Sequence, residues 1–107
     1  MKREFIINTL LKIKEIDEKI LSLYRLGVDL LEFETGISQL EKSIPTIIRE
    51  EKDEEFRYIE DLVGWWLYED VEKTIWVNKT EEIHLDNVED FVDYLLKEYS
   101  VNKLETN

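Results

Sequence analysis

Between residues 54 and 99 the spacing of the apolar residues changes twice, from helical to strand-like and back to helical. This pattern limits the folds that the chain can adopt. From 54 to 69 the apolar residues recur at helical spacing, and they do so again from 88 to 99. Between these two segments, KTIWV and EEIHL alternate as strands do, with the residues NKT as their connection. Because a two-stranded sheet is marginal alone and has to pack on helices, we predict a helix, a β-hairpin and a second helix around one core.

The first of these helices is predicted to have two different faces. Its apolar, buried face comprises Phe56, Ile59, Val63, Trp66 and Leu67. The residues predicted to project from the opposite side are Glu54, Tyr58, Asp61, Trp65 and Tyr68. The aromatic members of that second set either are exposed or pack against the first helix or the hairpin. Gly64 weakens the helix by about 1 kcal/mol relative to alanine and favours the close approach of another backbone.

The last helix is the best specified element of the sequence. Asp86 or Asn87 can cap it, and Asp86 with Glu89 has the spacing of a capping box. Glu89, Asp90 and Asp93 lie in its first two turns, where carboxylates interact favourably with the helix dipole. One face is apolar throughout: Val88, Phe91, Val92, Leu95, Leu96 and Tyr99.

The first helix is predicted over residues 3–26. Its main apolar stripe is Ile6, Leu10, Ile13, Ile16, Ile20, Leu23 and Tyr24. Ile7 and Leu11 fall outside that stripe, so that either later segments of the chain cover them or they form the seam of a homodimer. Gly27 is expected to end this helix.

The segment that follows is predicted to be broken into short pieces. A helical turn closed by Gly36 precedes a short helix capped by Ser38. Pro45 forbids helix through Ile44 but suits the first turn of a new helix. That helix is expected to break near residues 52–53 and to continue to about residue 69.

The chain of 107 residues is predicted to form one domain, 1–107, in the mainly helical α+β class. It has a long N-terminal helix, central helices, one β-hairpin and a C-terminal amphipathic helix, and residues 102–107 are expected to fray. Cysteine is absent, which fits a reducing cytosol, and the apolar run at the N-terminus is too short and too charged for a signal peptide. We therefore expect a cytoplasmic protein.

The negative charge is concentrated in one part of the chain. Residues 1–50 hold 8 Lys/Arg and 9 Asp/Glu, whereas residues 51–107 hold 6 and 17, so the net charges are −1 and −11. Such a field repels phosphate backbones and anionic lipids. The pattern disfavours direct nucleic-acid or membrane binding and favours a basic protein partner, including one that itself binds nucleic acid.

Residues that could carry chemistry are few. Glu82, His84 and Asp86 share one face of the second strand, where they either bind a divalent metal or, as we expect, are simply solvated. The sequence contains no nucleophile motif and no glycine-rich phosphate loop. We therefore predict no cofactor, no metal and no catalytic residue. A carboxylate or metal-dependent enzyme is the third of the three functions considered, after the two given at the end of this section.

The runs WWLYEDVEKTIWV and HLDNVEDFVDYLLKE resemble uncharacterised small acidic proteins of phages and prophages of low-GC Gram-positive bacteria. The resemblance covers the C-terminal half of the chain. It implies a context in which small, acidic, cysteine-free proteins often inhibit host nucleases, anti-CRISPR proteins among them. It implies no activity and no catalytic residue.

These observations predict a non-enzymatic inhibitor that binds a basic protein. The sharper version of this prediction is a nucleic-acid mimic that blocks a host defence nuclease. Its partner-binding residues are predicted to be Glu54, Tyr58, Asp61, Trp65, Tyr68, Glu89, Asp90 and Asp93. The second alternative is a structural or oligomer-forming phage protein that uses its first helix as the interface.

Overall fold

Four helices and one β-hairpin make up the fold in the computed structural model, which describes residues 2–27 and 31–100. The elements are α1 Lys2–Tyr24, α2 Leu31–Ile48, α3 Glu54–Tyr68, β1 Thr74–Val77, β2 Glu81–His84 and α4 Val88–Tyr99. The predicted mainly helical α+β class is therefore confirmed. The predicted frayed tail, 102–107, lies outside the described residues. No helix in the described ranges is long and apolar enough to cross a membrane.

The core lies where α1, α2, α3 and α4 meet, because each helix turns an apolar stripe toward the others. α1 packs against α2 and α4, and α2 also packs against α3. The fully buried members of this core are Ile6, Leu10, Ile13, Ile44, Ile48, Ile59, Val63, Leu85, Phe91, Val92 and Leu95. Trp66 is 3% exposed and stacks on Phe91, which joins α3 to α4. The predicted apolar faces of α3 and α4 do pack into the core, with Leu67 on α3 and Val88, Leu96 and Tyr99 on α4 only partly buried.

α3 and α4 run antiparallel. Near the end of α3, Trp66 meets Phe91 in the first turn of α4. At the other end, Arg49 bonds to the α3 N-cap Asp53 and also donates to the Tyr99 carbonyl in the last turn of α4, at 3.3 Å. The start of α3 therefore lies beside the end of α4.

The hairpin has the predicted strands and connection. β1 and β2 are antiparallel, with Ile75 opposite Ile83 and Trp76 opposite Glu82. The Thr80 amide donates to the Val77 carbonyl at 3.1 Å to close the turn. The turn residues Asn78 and Lys79 both have positive φ, 54° and 62°. This conformation gives a turn whose twist matches that of the flanking strands.

The prediction that the second segment is broken into pieces was wrong. α2 continues through Gly36 and Ser38 and has Pro45 in its last turn. Ile37, Ile44 and Ile48 on this helix are buried, and that burial outweighs the local preferences of the helix-breaking residues. The part of the prediction that concerns residues 28–30 lies outside the described ranges.

The predicted stripe of α1 was right for its first half and wrong near its end. Gly27 does follow the helix with φ of +80°, and its amide donates to the Tyr24 carbonyl. Leu23 and Tyr24, however, are exposed, because the part of α1 nearest its C-terminus has fewer neighbours among the described elements. Ile7 is buried within its own chain, whereas Leu11 remains 47% exposed.

Candidate functional site

One side of α3 carries exposed carboxylates and tyrosines together. Glu54 and Asp61 are exposed, and Tyr58, which lies between them, is 49% exposed. The Tyr58 hydroxyl donates to the Glu54 carboxylate at 3.0 Å. This hydrogen bond and the negative charge raise the pKa of Tyr58, so that the phenol stays protonated as a donor. With Tyr68 further along the helix, these four residues are called the α3 acidic face below.

Tyr68 fixes the far end of the α3 acidic face to α2. Its hydroxyl donates to the Glu41 carboxylate, while nearly half of the side chain stays accessible to solvent. Partial burial, followed by the bond to Glu41 and the charges of Glu41 and Asp17, raises the pKa of Tyr68. The ring is therefore held in one orientation with an edge available for contact.

Trp65 does not project from α3 as the sequence predicted. It is half-buried and packs against the core. The Lys73 ammonium lies 5.1 Å from the centroid of the indole ring and also donates to the Trp65 carbonyl at 3.0 Å. The segment that follows α3 folds back over this ring, which a helical wheel of α3 alone cannot indicate.

The predicted carboxylates of α4 are exposed, but one of them already has a partner. Arg3 of α1 donates to both Asp93 oxygens, at 2.6 and 3.3 Å. This pairing, with the nearby charge of Glu89, raises the pKa of Arg3. Asn87 is the N-cap of α4, where its side chain accepts from the Glu89 amide at 2.7 Å. Asp90 is exposed like Glu89.

Seven of the eight predicted partner-binding residues fall into two sets, and Trp65, packed against the core, belongs to neither. The α3 acidic face is joined to α2 through Tyr68, whereas the α4 set is joined to α1 through Asp93. Within residues 2–27 and 31–100, no hydrogen bond or ion pair connects one set with the other. Because Arg3 pairs with Asp93, each set presents two carboxylates without an ion pair among the described residues: Glu54 and Asp61 on α3, and Glu89 and Asp90 on α4.

Trp76 is an exposed aromatic residue that the sequence prediction omitted. It is 63% exposed on the outer face of β1, opposite Glu82. The same strand alternation that placed Glu82 and His84 toward solvent also places Trp76 there. The signal was therefore present in the sequence, and a large exposed indole is the type of side chain that anchors protein interfaces.

His84 is exposed on the same face of the hairpin. Its Nδ1 lies 3.1 Å from the Thr74 hydroxyl, and its Nε2 lies 3.8 Å from a Glu82 oxygen. Asp86 follows after the end of β2. In the described part of the chain, no group of three or more His, Cys, Asp or Glu side chains is arranged to hold a metal ion.

No family model, no curated protein and no solved structure matches this chain. Its fold and surface define a small, acidic, mainly helical α+β protein. Carboxylates and tyrosines share one exposed helix face, and a tryptophan is exposed on the hairpin.

Proposed function

We propose that this protein is a non-enzymatic inhibitor that binds a basic, nucleic-acid-binding protein through the α3 acidic face. In the sharper form of the proposal, the face takes the place of a nucleic-acid strand and blocks a host defence nuclease. A protein that grips phosphates offers Lys and Arg side chains at close spacing. Carboxylates on a preformed helix can meet those cations without the entropy cost of ordering a loop.

The observation that carries the proposal is the spacing and exposure of the carboxylates on α3. Glu54 and Asp61 are seven residues apart, which is about 10.5 Å along a helix axis. Three phosphate steps along one DNA strand advance about 10.2 Å. Tyr58, between the two carboxylates, adds the kind of flat aromatic contact found at the centre of interfaces.

One basic side chain near the start of α3, Arg49, is already paired, whereas Arg57 is exposed and has no ion pair among the described residues. Arg49 donates to Asp53 at 2.6 Å and lies 3.1 Å from Glu55. Among the described residues, neither Glu54 nor Asp61 has an ion-pair partner. A basic partner therefore meets carboxylates that are not already neutralised.

The test is a cleavage assay with a panel of CRISPR effector nucleases and restriction nucleases from low-GC Gram-positive bacteria. We expect one of them to be inhibited, and we expect added target DNA to compete with the inhibitor. Binding kinetics across a salt series then locate the surface. Glu54→Lys with Asp61→Lys should slow association, and more so at low salt, because steering by charge weakens as the Debye length shortens.

The matched control is Glu4→Lys with Glu18→Lys on α1, which changes the net charge by the same amount. Both control residues are exposed and lie in the near-neutral half. Tyr58→Ala should mainly speed dissociation, because an aromatic anchor acts after encounter. Equal effects of the two charge reversals, or binding that is indifferent to salt, would assign the acidic charge to solubility alone.

The second candidate is an oligomer-forming phage protein that uses α1. Exposed apolar side chains on α1, Phe5 and Leu11, favour it, whereas the burial of Ile7 removes half of the seam that the sequence suggested. Sedimentation of the protein at low and high salt distinguishes the two candidates. A stable dimer that Leu11→Ser dissociates, together with no inhibited nuclease, would favour this second function.

A further inference from the structure

A groove of about 440 Å³ opens between α1 and α2, and one residue of α3 also lines it. The side chains of Ile20, Leu21 and Tyr24 form the α1 wall, Ile37 lines the α2 side, and Tyr68 of α3 lies at one end. Its volume lies within the range of about 300–1,000 Å³ that is typical of binding pockets.

The apolar walls of the groove are only partly covered by the described chain. Leu21 is 56% exposed and Tyr24 is 66% exposed, although both are large apolar or aromatic side chains. Leu26, just past the end of α1, is exposed as well. Contiguous exposed apolar surface of this kind marks an interaction site more often than isolated exposed residues do.

The rim of the groove is acidic. Asp17, Glu34 and Glu41 line it, and no basic side chain is among the described lining residues. Glu41 accepts the Tyr68 hydroxyl, while Asp17 and Glu34 form no ion pair with any residue in the described ranges. An occupant that carries positive charge beside an apolar stripe would satisfy both the walls and the rim.

We propose that this groove binds a basic amphipathic helix of a partner protein. The helix would place apolar side chains, spaced three or four residues apart, against Leu21, Tyr24 and Ile37. Its Lys or Arg side chains would face Asp17 and Glu34. A second copy of this chain is a poor occupant, because its net charge of −12 would bring like charges together.

This inference goes beyond the proposed function, because the groove is built mainly from α1 and α2. Tyr68 belongs to both the groove and the α3 acidic face, so the variants that test the groove leave it unchanged. The two proposals can therefore fail separately.

The probe is a labelled 18-residue synthetic helix with leucines along one face and lysines elsewhere, and binding to the full chain is measured by fluorescence anisotropy. One control peptide has the same composition with the leucines scattered, and the other has glutamates in place of the lysines. We expect binding of the first peptide alone. Leu21→Ser with Tyr24→Ser should weaken that binding by about tenfold or more, and far-ultraviolet circular dichroism should show that this double variant is folded.

Matched variants locate the binding. Leu11→Ser removes an equally exposed leucine from α1 outside the groove and should leave the affinity unchanged. Glu34→Lys should weaken binding more than Glu18→Lys, because Glu34 lines the rim and Glu18 does not.

Several results would overturn the proposal. These are failure of the amphipathic peptide to bind, equal binding of the scattered peptide, and insensitivity to the Leu21 and Tyr24 substitutions. A protein dimer that those substitutions dissociate would identify a second copy as the occupant and would also overturn it.

Discussion

Trp66 joins four parts of the molecule through one side chain. Its indole nitrogen donates to the Leu85 carbonyl at 2.8 Å, and its ring stacks on Phe91 with centroids 5.2 Å apart and planes 4° from parallel. The Lys14 ammonium lies 4.0 Å from the ring centroid on the α1 side. Since Leu85 directly follows the hairpin, the Trp66 ring connects α1, α3, α4 and the end of the hairpin, and it fixes their positions relative to one another.

Truncation of this cluster should therefore destabilise the fold strongly. We expect Trp66→Ala to cost about 3–5 kcal/mol, and Phe91→Ala or Leu95→Ala to cost about 2–5 kcal/mol. Trp66→Phe keeps a ring but leaves the buried Leu85 carbonyl without its donor, which costs about 1–3 kcal/mol. Urea denaturation measures these losses, with Trp76→Ala as the exposed control at below about 0.5 kcal/mol. A loss below about 1 kcal/mol for Trp66→Ala would contradict this role.

Asp53 combines two functions at the start of α3. Its carboxylate accepts the Phe56 amide at 3.1 Å as the N-cap and pairs with Arg49 at 2.6 Å. The hydrogen bonds from Arg49, aided by the one from the Phe56 amide, lower the pKa of Asp53 to about 2. Because the pKa is lower in the folded than in the unfolded chain, the stabilisation is fully present above about pH 4. It is lost as the pH falls toward about 2.

Asp53→Asn tests this pH dependence, because asparagine keeps the capping oxygen and removes the charge. At pH 7 the variant should be less stable than the parent chain. The difference in the free energy of unfolding should shrink as the pH falls from about 4 to about 2, the window set by the lowered pKa. Chemical denaturation of both proteins at each pH gives this difference directly. A difference that stays constant over that window would show that the ionised carboxylate contributes nothing beyond the cap.

At the scale of elements, α2 shows how tertiary burial overrides local preference. A glycine inside a helix costs about 1 kcal/mol, and an interior proline costs about 3 kcal/mol. The three isoleucines that α2 buries, Ile37, Ile44 and Ile48, each contribute about 1.5–3 kcal/mol. The burial outweighs the cost, so Gly36 and Pro45 are tolerated within one continuous helix.

The glycines in and after the helices allow a prediction of how alanine substitutions change stability. A Cβ added at Gly36 or Gly64 meets no atom within 4 Å, so the close backbone approach predicted at Gly64 is absent. Gly36→Ala and Gly64→Ala should each stabilise the protein by about 0.5–1 kcal/mol, because alanine loses less conformational freedom on folding. Gly27→Ala, at a φ of +80°, should instead destabilise it by about 1 kcal/mol. Urea midpoints compare the three; a stabilising Gly27→Ala or a destabilising Gly36→Ala would contradict the helix bounds.

The hairpin and α4 could be predicted because their signals are local. The Asn87 side chain caps α4 by accepting the Glu89 amide, only two residues further along the chain. On either side of the turn residue Lys79, apolar and polar residues alternate within two four-residue strands. The continuity of α2 could not be predicted, since it depends on burial by distant segments. Trp65 was misplaced for the same reason, because Lys73, eight residues away, covers its ring.

At the scale of the whole molecule, the sequence predicted which part of the chain carries the negative charge, but not which carboxylates are paired with arginine. The excess of −11 in residues 51–107 follows from counting. The structure adds that Arg3, from the near-neutral half, pairs with Asp93, and that Arg49 pairs with Asp53 and Glu55. These contacts leave Glu54 and Asp61 on α3, and Glu89 and Asp90 on α4, without an ion pair among the described residues.

A chain with a net charge of −12 should become more stable as salt is added at low ionic strength. Between 0.01 and 0.15 M NaCl the Debye length falls from about 30 Å to about 8 Å, which screens repulsion among carboxylates on different elements. The close pairs of Arg3 and Arg49 are screened less, because their charges are in contact. A gain of about 1 kcal/mol would raise the melting temperature by about 4–8 °C.

Thermal unfolding followed by circular dichroism across this NaCl range provides the measurement. Glu54→Lys with Asp61→Lys removes repulsion on α3 and should reduce the rise in melting temperature. Glu4→Lys with Glu18→Lys, equal in net charge, should reduce it less, because it acts in the near-neutral half. A melting temperature that falls with salt would mean that the ion pairs, and not the excess of carboxylates, dominate the electrostatic free energy of the fold. In that case, repulsion among the carboxylates of the α3 acidic face would not destabilise the free protein, and a basic partner would gain nothing by relieving it.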